Sequence, residues 1–278
     1  MVVCNYLRGY DHFNRVCEHV VGVESYYDFP SSLLVHGESL NTSTLWSVDD
    51  VVFFRRRNKQ LTLLAWFCDN AYLCDVLGML KGGGYNVKSF AFTYVDDVGL
   101  NTRSAGWEYY VDDSWSLEWL LGEISSESRR KMRRTQEKVS VLLELDWDVD
   151  EASAMQLHAD WLSEAKTRHF MAVSGYSKRF IQRYYAFGDN TELFGWRDKQ
   201  GQLYGMVGYE VYDGQAQVLL MKHRIDGNIN GFGQYMWIYT LEHLLSVPGI
   251  DKVHCGSLTD TLKQRLRMQK VRSWKVVV

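Results

Sequence analysis

Residues 215–256 read QAQVLLMKHRIDGNINGFGQYMWIYTLEHLLSVPGIDKVHCG. The β-rich run Gln217 to His223 passes through the loop Asp226-Gly227-Asn228-Ile229-Asn230-Gly231-Phe232-Gly233 into an apolar helix over Gln234 to Leu245. Lys252 to Cys255 then reads as a closing strand. A strand that runs through glycines into a helix presents bare backbone N–H groups at the positive end of the helix dipole, which attracts a phosphate or another oxyanion. Asn228, Asn230, Gly231 and Gly233 are therefore the candidate phosphate contacts, with Lys222 and His223 at the end of the strand beside them. Tight strand-to-helix connections without a ligand use glycine in the same way.

Upstream of this stretch, Leu203 to Tyr212 is strand-like, and Asp213-Gly214 is a hairpin turn signal joining it to Gln215 to His223. The second half thus runs strand, strand, helix, strand. The first half has the same order. Val51 to Arg57 and Gln60 to Phe67 form a predicted hairpin around Asn58-Lys59. A helix follows over Asn70 to Lys81, ending at Gly82-Gly83-Gly84, and Val87 to Val95 is a single alternating strand. The repeat is one of topology and not of sequence, at a spacing of roughly 150 residues. Its first copy has Cys68-Asp69-Asn70 where the second has glycines, and that negative charge would repel phosphate. Helices are also predicted over Tyr10 to His19, Leu117 to Gly122, Ser126 to Arg134, Glu151 to Arg168 and Ser177 to Phe187. The predicted fold class is α/β (α+β), with residues 1–115 as a half lacking the glycine loop and residues 116–278 as the half that carries it.

Composition narrows the function classes. The chain has 278 residues and 46% hydrophobic side chains, enough for a normal core. No run approaches the roughly 18 apolar residues of a membrane span, and residues 1–8 lack the apolar region of a signal peptide, so a cytoplasmic protein is expected. Cys4, Cys17, Cys68, Cys74 and Cys255 are odd in number and form no CxxC pair, so no metal is expected and core positions are the default. A net charge of −3 gives no global attraction to nucleic acid, so any polyanion must be held by a local patch.

Such a patch lies between the halves. Six cations, including Arg129, Arg130, Arg133 and Arg134, face a single acid, Glu137, between residues 129 and 138. A charge run of this kind is either a solvated helix face or a phosphate-backbone contact for tRNA, DNA or a nucleotide carrier. Three further side chains are candidates for chemistry. An imidazole titrates near neutral pH, so His169 is a candidate general base. Glu210 falls in the middle of a predicted central strand, where a carboxylate is expensive to bury unless paired. His223 ends the strand beside the loop. No GxSxG and no Cys–His pairing is visible, so direct transfer through a tetrahedral intermediate fits better than a covalent enzyme intermediate.

These residues resemble a family. The C-terminal half looks like the GNAT acyltransferase fold, whose hallmark is a strand, an R/Q-x-x-G-x-G/A loop and a helix. Gly231 and Gly233 fall at the two motif glycines, and Asn228 stands at the Arg/Gln position. The whole chain is similar to the tandem-GNAT group, which includes FemAB-like aminoacyltransferases and the lysyl-phosphatidylglycerol synthase C-terminal domain. Three features carry this: Glu108-Tyr109-Tyr110-Val111-Asp112 before Ser126 to Arg134, the glycine loop, and Gly249 to Gly256 before Leu262-Lys263-Gln264-Arg265-Leu266. The resemblance implies two mixed, mostly antiparallel sheets flanked by helices. It implies an acyl or aminoacyl group moved from acyl-CoA or aminoacyl-tRNA to an amine or hydroxyl. Modification of a nucleic-acid base and a non-catalytic binding module are the alternatives.

Overall fold

Asp213 and Gly214 adopt φ angles of 50° and 70°, the pair of positive values that a type I′ hairpin requires. They join Leu203–Tyr212 to Gln215–His223 in antiparallel register. The computed structural model describes residues 5–7, 44–48, 51–56, 59–66, 68–89, 92–93, 102–164, 177–182, 184–185, 191–224, 229–256 and 260–276. In chain order the elements begin with β1 (Asn5–Leu7), β2 (Thr44–Val48), β3 (Val51–Arg56), β4 (Gln60–Trp66), α1 (Asn70–Gly82) and β5 (Asn86–Ser89). Next come β6 (Phe92–Thr93), β7 (Thr102–Asp112), α2 (Leu117–Glu123), α3 (Ser126–Leu142), β8 (Leu143–Asp146) and α4 (Glu151–Glu164). The last group is β9 (Thr191–Asp198), β10 (Leu203–Tyr212), β11 (Gln215–His223), α5 (Phe232–Ser246), β12 (Lys252–Gly256), α6 (Asp260–Arg265) and β13 (Gln269–Val276). Residues 177–182 and 184–185 are also helical. The helix predicted over Tyr10 to His19 lies outside the described residues.

Residues 1–108 with 270–278 form one compact unit, and residues 109–269 form another. In the first, β1 to β5 make a sheet in sequence order. The pairs are antiparallel up to β4, and β5 is parallel to β4 because α1 carries the chain back across. Val51 and Phe53, and Leu61 and Leu63, point inward at strand spacing, while Leu73, Val76, Leu77 and Leu80 answer them at helical spacing. Each such buried side chain stabilises the unit by about 1.5–3 kcal/mol relative to exposure. The single strand predicted over Val87 to Val95 is in fact two. β5 pairs with β4, and β6 pairs with β13. An alternating pattern reports which residues share a face, not whether the chain changes partner between them.

The second unit repeats the plan. β8, β9, β10 and β11 are successive antiparallel neighbours, α5 crosses over, and β12 returns parallel to β11. The end of β7, Tyr109 to Asp112, pairs with the far edge of β12. Phe194, Trp196, Val207, Tyr209 and Val218 pack against Phe232, Met236, Leu241 and Leu244 of α5. A separate cluster joins Leu193, Met206, Leu219 and Leu220 to Ala154 and Leu157 of α4 and to Phe180 and Ile181. α5 and α4 therefore cover opposite faces of this sheet. Among the described residues, no helix is long and apolar enough to cross a membrane, and no group of three or more His, Cys, Asp and Glu side chains is placed to hold a metal ion.

Candidate functional site

At the start of α5, Gly231 is the N-cap in the left-handed region, with φ 87° and ψ 5°, and no side chain caps the helix. Its place is determined by more than backbone freedom. A Cβ there would stand 2.9 Å from the Thr135 Oγ1 of α3. That hydroxyl lies 2.9 Å from the Asn230 carbonyl oxygen and 3.1 Å from that of Lys131, and its one proton is donated to either. Gly233 is pressed as closely from the other direction, since a Cβ would meet His223 Nε2 at 2.9 Å. His223 Nδ1 is 2.7 Å from the Arg224 carbonyl oxygen. A carbonyl only accepts, so Nδ1 carries the proton, and in the neutral ring Nε2 faces the loop as an acceptor. The Phe232 N–H is bonded to the Ile229 carbonyl at 3.2 Å. Asn228 lies outside the described residues.

The equivalent point in the first unit is closed. Asp69 is the N-cap of α1, and its Oδ1 accepts the Tyr72 N–H at 2.8 Å. A carboxylate thus occupies the place that an incoming anion would take, and its charge already complements the helix dipole.

Between the two strands leading to and from α5, the sheet opens. β11 and β12 pair only at Gln215↔Lys252, Ala216↔Val253 and Gln217↔His254, although β11 continues to His223. Against β10 the register passes from Tyr209↔Val218 to Gly208↔Leu220, so Leu219 has no opposite number and forms a bulge. The bulge falls two residues past the point where β12 leaves. Beside the divergence, Gln217 Nε2 donates to Glu210 Oε2 at 3.2 Å, both residues being fully buried.

Lys222 does not join the loop. Successive strand residues point to opposite faces, so with His223 against α5, Lys222 turns to the α4 side. Its Nζ lies 3.5 Å from the centre of the Trp161 ring. Burial there lowers its pKa to about 8. Next to it, Arg224 bonds Asp160 of α4 at 3.0 Å. His169 lies outside the described residues. Cys255 is a core residue whose thiol burial pushes up to about 12, which leaves it no nucleophile at neutral pH. Burial, helped by Lys252, holds His254 down to about 3, so it is a neutral partner to Gln215 Oε1 at 2.7 Å.

The arginine helix divides by role. Ser125 caps α3 by accepting the Ser128 N–H at 3.2 Å. Arg129 donates to the Leu121 and Ile124 carbonyls at 2.7 and 3.1 Å and so ties down the end of α2. Lys131 pairs with Glu127 at 2.7 Å. Arg133, Arg134 and Lys138 line a cleft of about 700 Å³ between α3 and α5 that begins at Asn230 and Gly231 and runs past Tyr235 and Tyr239 to Glu242. Arg130 is exposed and is not part of its lining. Sequence reading missed Thr135, Gln217, Tyr235 and Tyr239. The signal for Thr135 was present: Met132, Thr135 and Val139 recur at helical spacing inside the basic run, and they are the positions of that face that pack inward.

No family model matches the chain, and no curated protein matches its sequence. Solved structures match its fold. A conserved protein of unknown function from Bacteroides thetaiotaomicron has a TM-score of 0.70 at 10% identity, with 100% of each chain covered. L-PGS from Bacillus licheniformis has a TM-score of 0.63 at 11% identity, covering 95% of this chain and 90% of that one. FemX has a TM-score of 0.63 at 8% identity, covering 99% and 97%. The chain has the GNAT-like, FemAB-like fold in tandem.

Proposed function

We propose that the chain transfers an acyl or aminoacyl group from a CoA thioester or a charged tRNA to an amine or hydroxyl acceptor. The observation that carries this reading is the opening between β11 and β12 past Gln217, which leads to an uncapped glycine N-terminus at Gly231. An extended donor can enter such a gap, with its carbonyl at the Leu219 bulge and its phosphates at the α5 N–H groups. Likeness of fold to FemX and L-PGS supports the same class. The first half, with Asp69 over its own helix, is the copy without a donor site.

The chemistry assigned to the residues is direct. The acceptor nitrogen or oxygen attacks the donor carbonyl carbon, and the C–S or C–O bond to the carrier breaks. Backbone N–H groups of β11 released from β12 hold the oxyanion. Glu210, at the divergence and on the face away from α5, takes the acceptor proton, and the thiol or ribose hydroxyl leaves with one proton. Gln217 holds the Glu210 carboxylate in place at 3.2 Å. Holding two substrates in line is worth roughly 7–11 kcal/mol of barrier in favourable cases, so positioning alone can supply much of the rate.

A Gly231→Val, Gly233→Val double variant tests the assignment. Both substitutions strain the fold, at the left-handed Gly231 and against His223, so the variant is first checked for a cooperative melt; folded, it should lose transfer from CoA thioesters and aminoacyl-tRNA alike. Full turnover by a folded double variant refutes the donor site.

A further inference from the structure

We infer that the cleft between α3 and α5 is a nucleoside-phosphate site, with Tyr235 and Tyr239 stacking a base and Arg134 and Lys138 holding phosphate. The inference rests on the donor-site reading for which end of the cleft meets the rest of the donor, because Asn230 and Gly231 line one end of it. Its volume of about 700 Å³ suits a ligand of nucleotide size, since small-molecule sites run from about 300 to 1,000 Å³.

The two sides of the cleft differ in chemistry. α5 contributes Gln234, Tyr235, Ile238 and Tyr239, with the Glu242 carboxylate at the far end from Gly231. Tyr235 and Tyr239 lie 6.3 Å apart with their planes 29° from parallel. Trp196 meets both edge-on, at 6.0 and 5.4 Å, and so fixes their orientation from the core side. Rings held in this way are prepared to stack a flat ligand without first losing rotamer freedom. α3 contributes the cations. Arg133, Arg134 and Lys138 make no ion pair among the described residues, whereas Lys131 and Arg129, which also line the cleft, are engaged with Glu127 and with the α2 carbonyls. Arg134 and Lys138 are four residues apart on one helix, where like charges repel. A bound phosphate relieves that repulsion, and a solvated face has no need of aromatic neighbours.

Both donor classes carry this chemistry at one end. Coenzyme A ends in adenosine 3′,5′-bisphosphate, and a charged tRNA ends in stacked nucleotides with phosphates between them. Titration calorimetry on the full chain separates the sources, with adenosine 3′,5′-bisphosphate, a short RNA ending in CCA, and inorganic pyrophosphate as probes. One nucleotide probe should bind more tightly than pyrophosphate, and the tighter of the two identifies the carrier. Tyr239→Leu should weaken that nucleotide roughly 5- to 100-fold and leave pyrophosphate unchanged, while Tyr239→Phe retains binding. Arg134→Ala with Lys138→Ala, both exposed positions, should weaken every probe. Nucleotides that bind no better than pyrophosphate, or that ignore the exposed double variant, overturn the site. Because the readout is binding, a chain that binds nucleotide yet transfers regardless of Gly231 and Gly233 refutes the donor reading alone.

Discussion

Gly231 and Thr135 should be energetically coupled, and the coupling can be worked out from the contact between them. Gly231→Ala places a Cβ in a left-handed residue, which costs an L-amino acid about 1–2 kcal/mol. The reduced freedom of the unfolded chain returns about 0.4–1 kcal/mol of that. The same Cβ arrives 2.9 Å from Thr135 Oγ1, closer than carbon and oxygen tolerate, and forcing a packed neighbour aside adds about 1 kcal/mol or more. The expected total is about 2 kcal/mol. Thr135→Ala removes a hydrogen bond to the Asn230 carbonyl, worth about 1 kcal/mol, and recovers a few tenths through alanine's higher helix propensity. It also removes the oxygen that the new Cβ strikes. The double variant should therefore be less destabilised than the sum of the singles by about 1 kcal/mol. Urea denaturation of the four proteins measures this as a double-mutant cycle. Additivity within roughly 0.3–0.5 kcal/mol would mean that α3 does not press on the loop, and the reason given for glycine at 231 would fail.

Two further outcomes follow from buried or strained residues. Lys222 has its pKa lowered from 10.5 to about 8 by burial. Below pH 8 the ammonium is charged in both states, and the burial penalty, on the order of 3 kcal/mol, is fully present. Between pH 8 and 10.5 the unfolded chain binds more protons than the folded one, so stability rises with pH. Lys222→Met should be more stable than wild type at pH 7 and should flatten the rise, measured as the urea midpoint from pH 7 to 10; an unchanged slope in the variant contradicts this. Arg267, just after α6, has φ 56° while its N–H bonds the Gln264 carbonyl at 3.0 Å. Glycine is the residue suited to that position, so Arg267→Gly should raise the urea midpoint by the equivalent of about 0.5–1 kcal/mol, and a lower midpoint would show that the arginine side chain matters more than its backbone strain.

The repeated strand–strand–helix–strand order was legible because local signals mark its joints. Asp213-Gly214 specifies a turn by its positive φ values, the glycines after Lys81 stop α1, and the apolar positions of α1 recur at helical spacing. What depends on partners far along the chain was not legible. β8 is an edge strand with β9 beside it, but nothing in Leu143–Asp146 or Thr191–Asp198 announces what lies next to them. The Leu219 bulge is set by the registers of two neighbouring strands and leaves no mark in an apolar run. The grouping of Lys222 with the loop is a different case, since Lys222 and His223 are adjacent in a strand and strand alternation already forbids both from facing one helix. The basic run shows the converse: its charge was visible, but which cations bond within the fold appears only once the α2 carbonyls stand beside Arg129.

The two halves test how little sequence separates an uncapped helix N-terminus from a capped one. Both bring a strand to a helix and return in a parallel strand, so both aim a helix N-terminus out of the same kind of crossover. In the first half one carboxylate, Asp69, bonds the Tyr72 N–H and complements the dipole from within. In the second half Gly231 offers no side chain, and Thr135 satisfies the loop carbonyl, not the helix N–H groups. An internal cap is worth about 1 kcal/mol to its helix. A glycine cap forgoes much of that gain and leaves the N–H groups for an incoming anion, which stabilises the folded state only when bound. That difference predicts an asymmetric response to phosphate-bearing ligands. Melting of the second unit should shift upward with ligand concentration, while a shift confined to the first unit would place the site at α1 and contradict the assignment of Asp69.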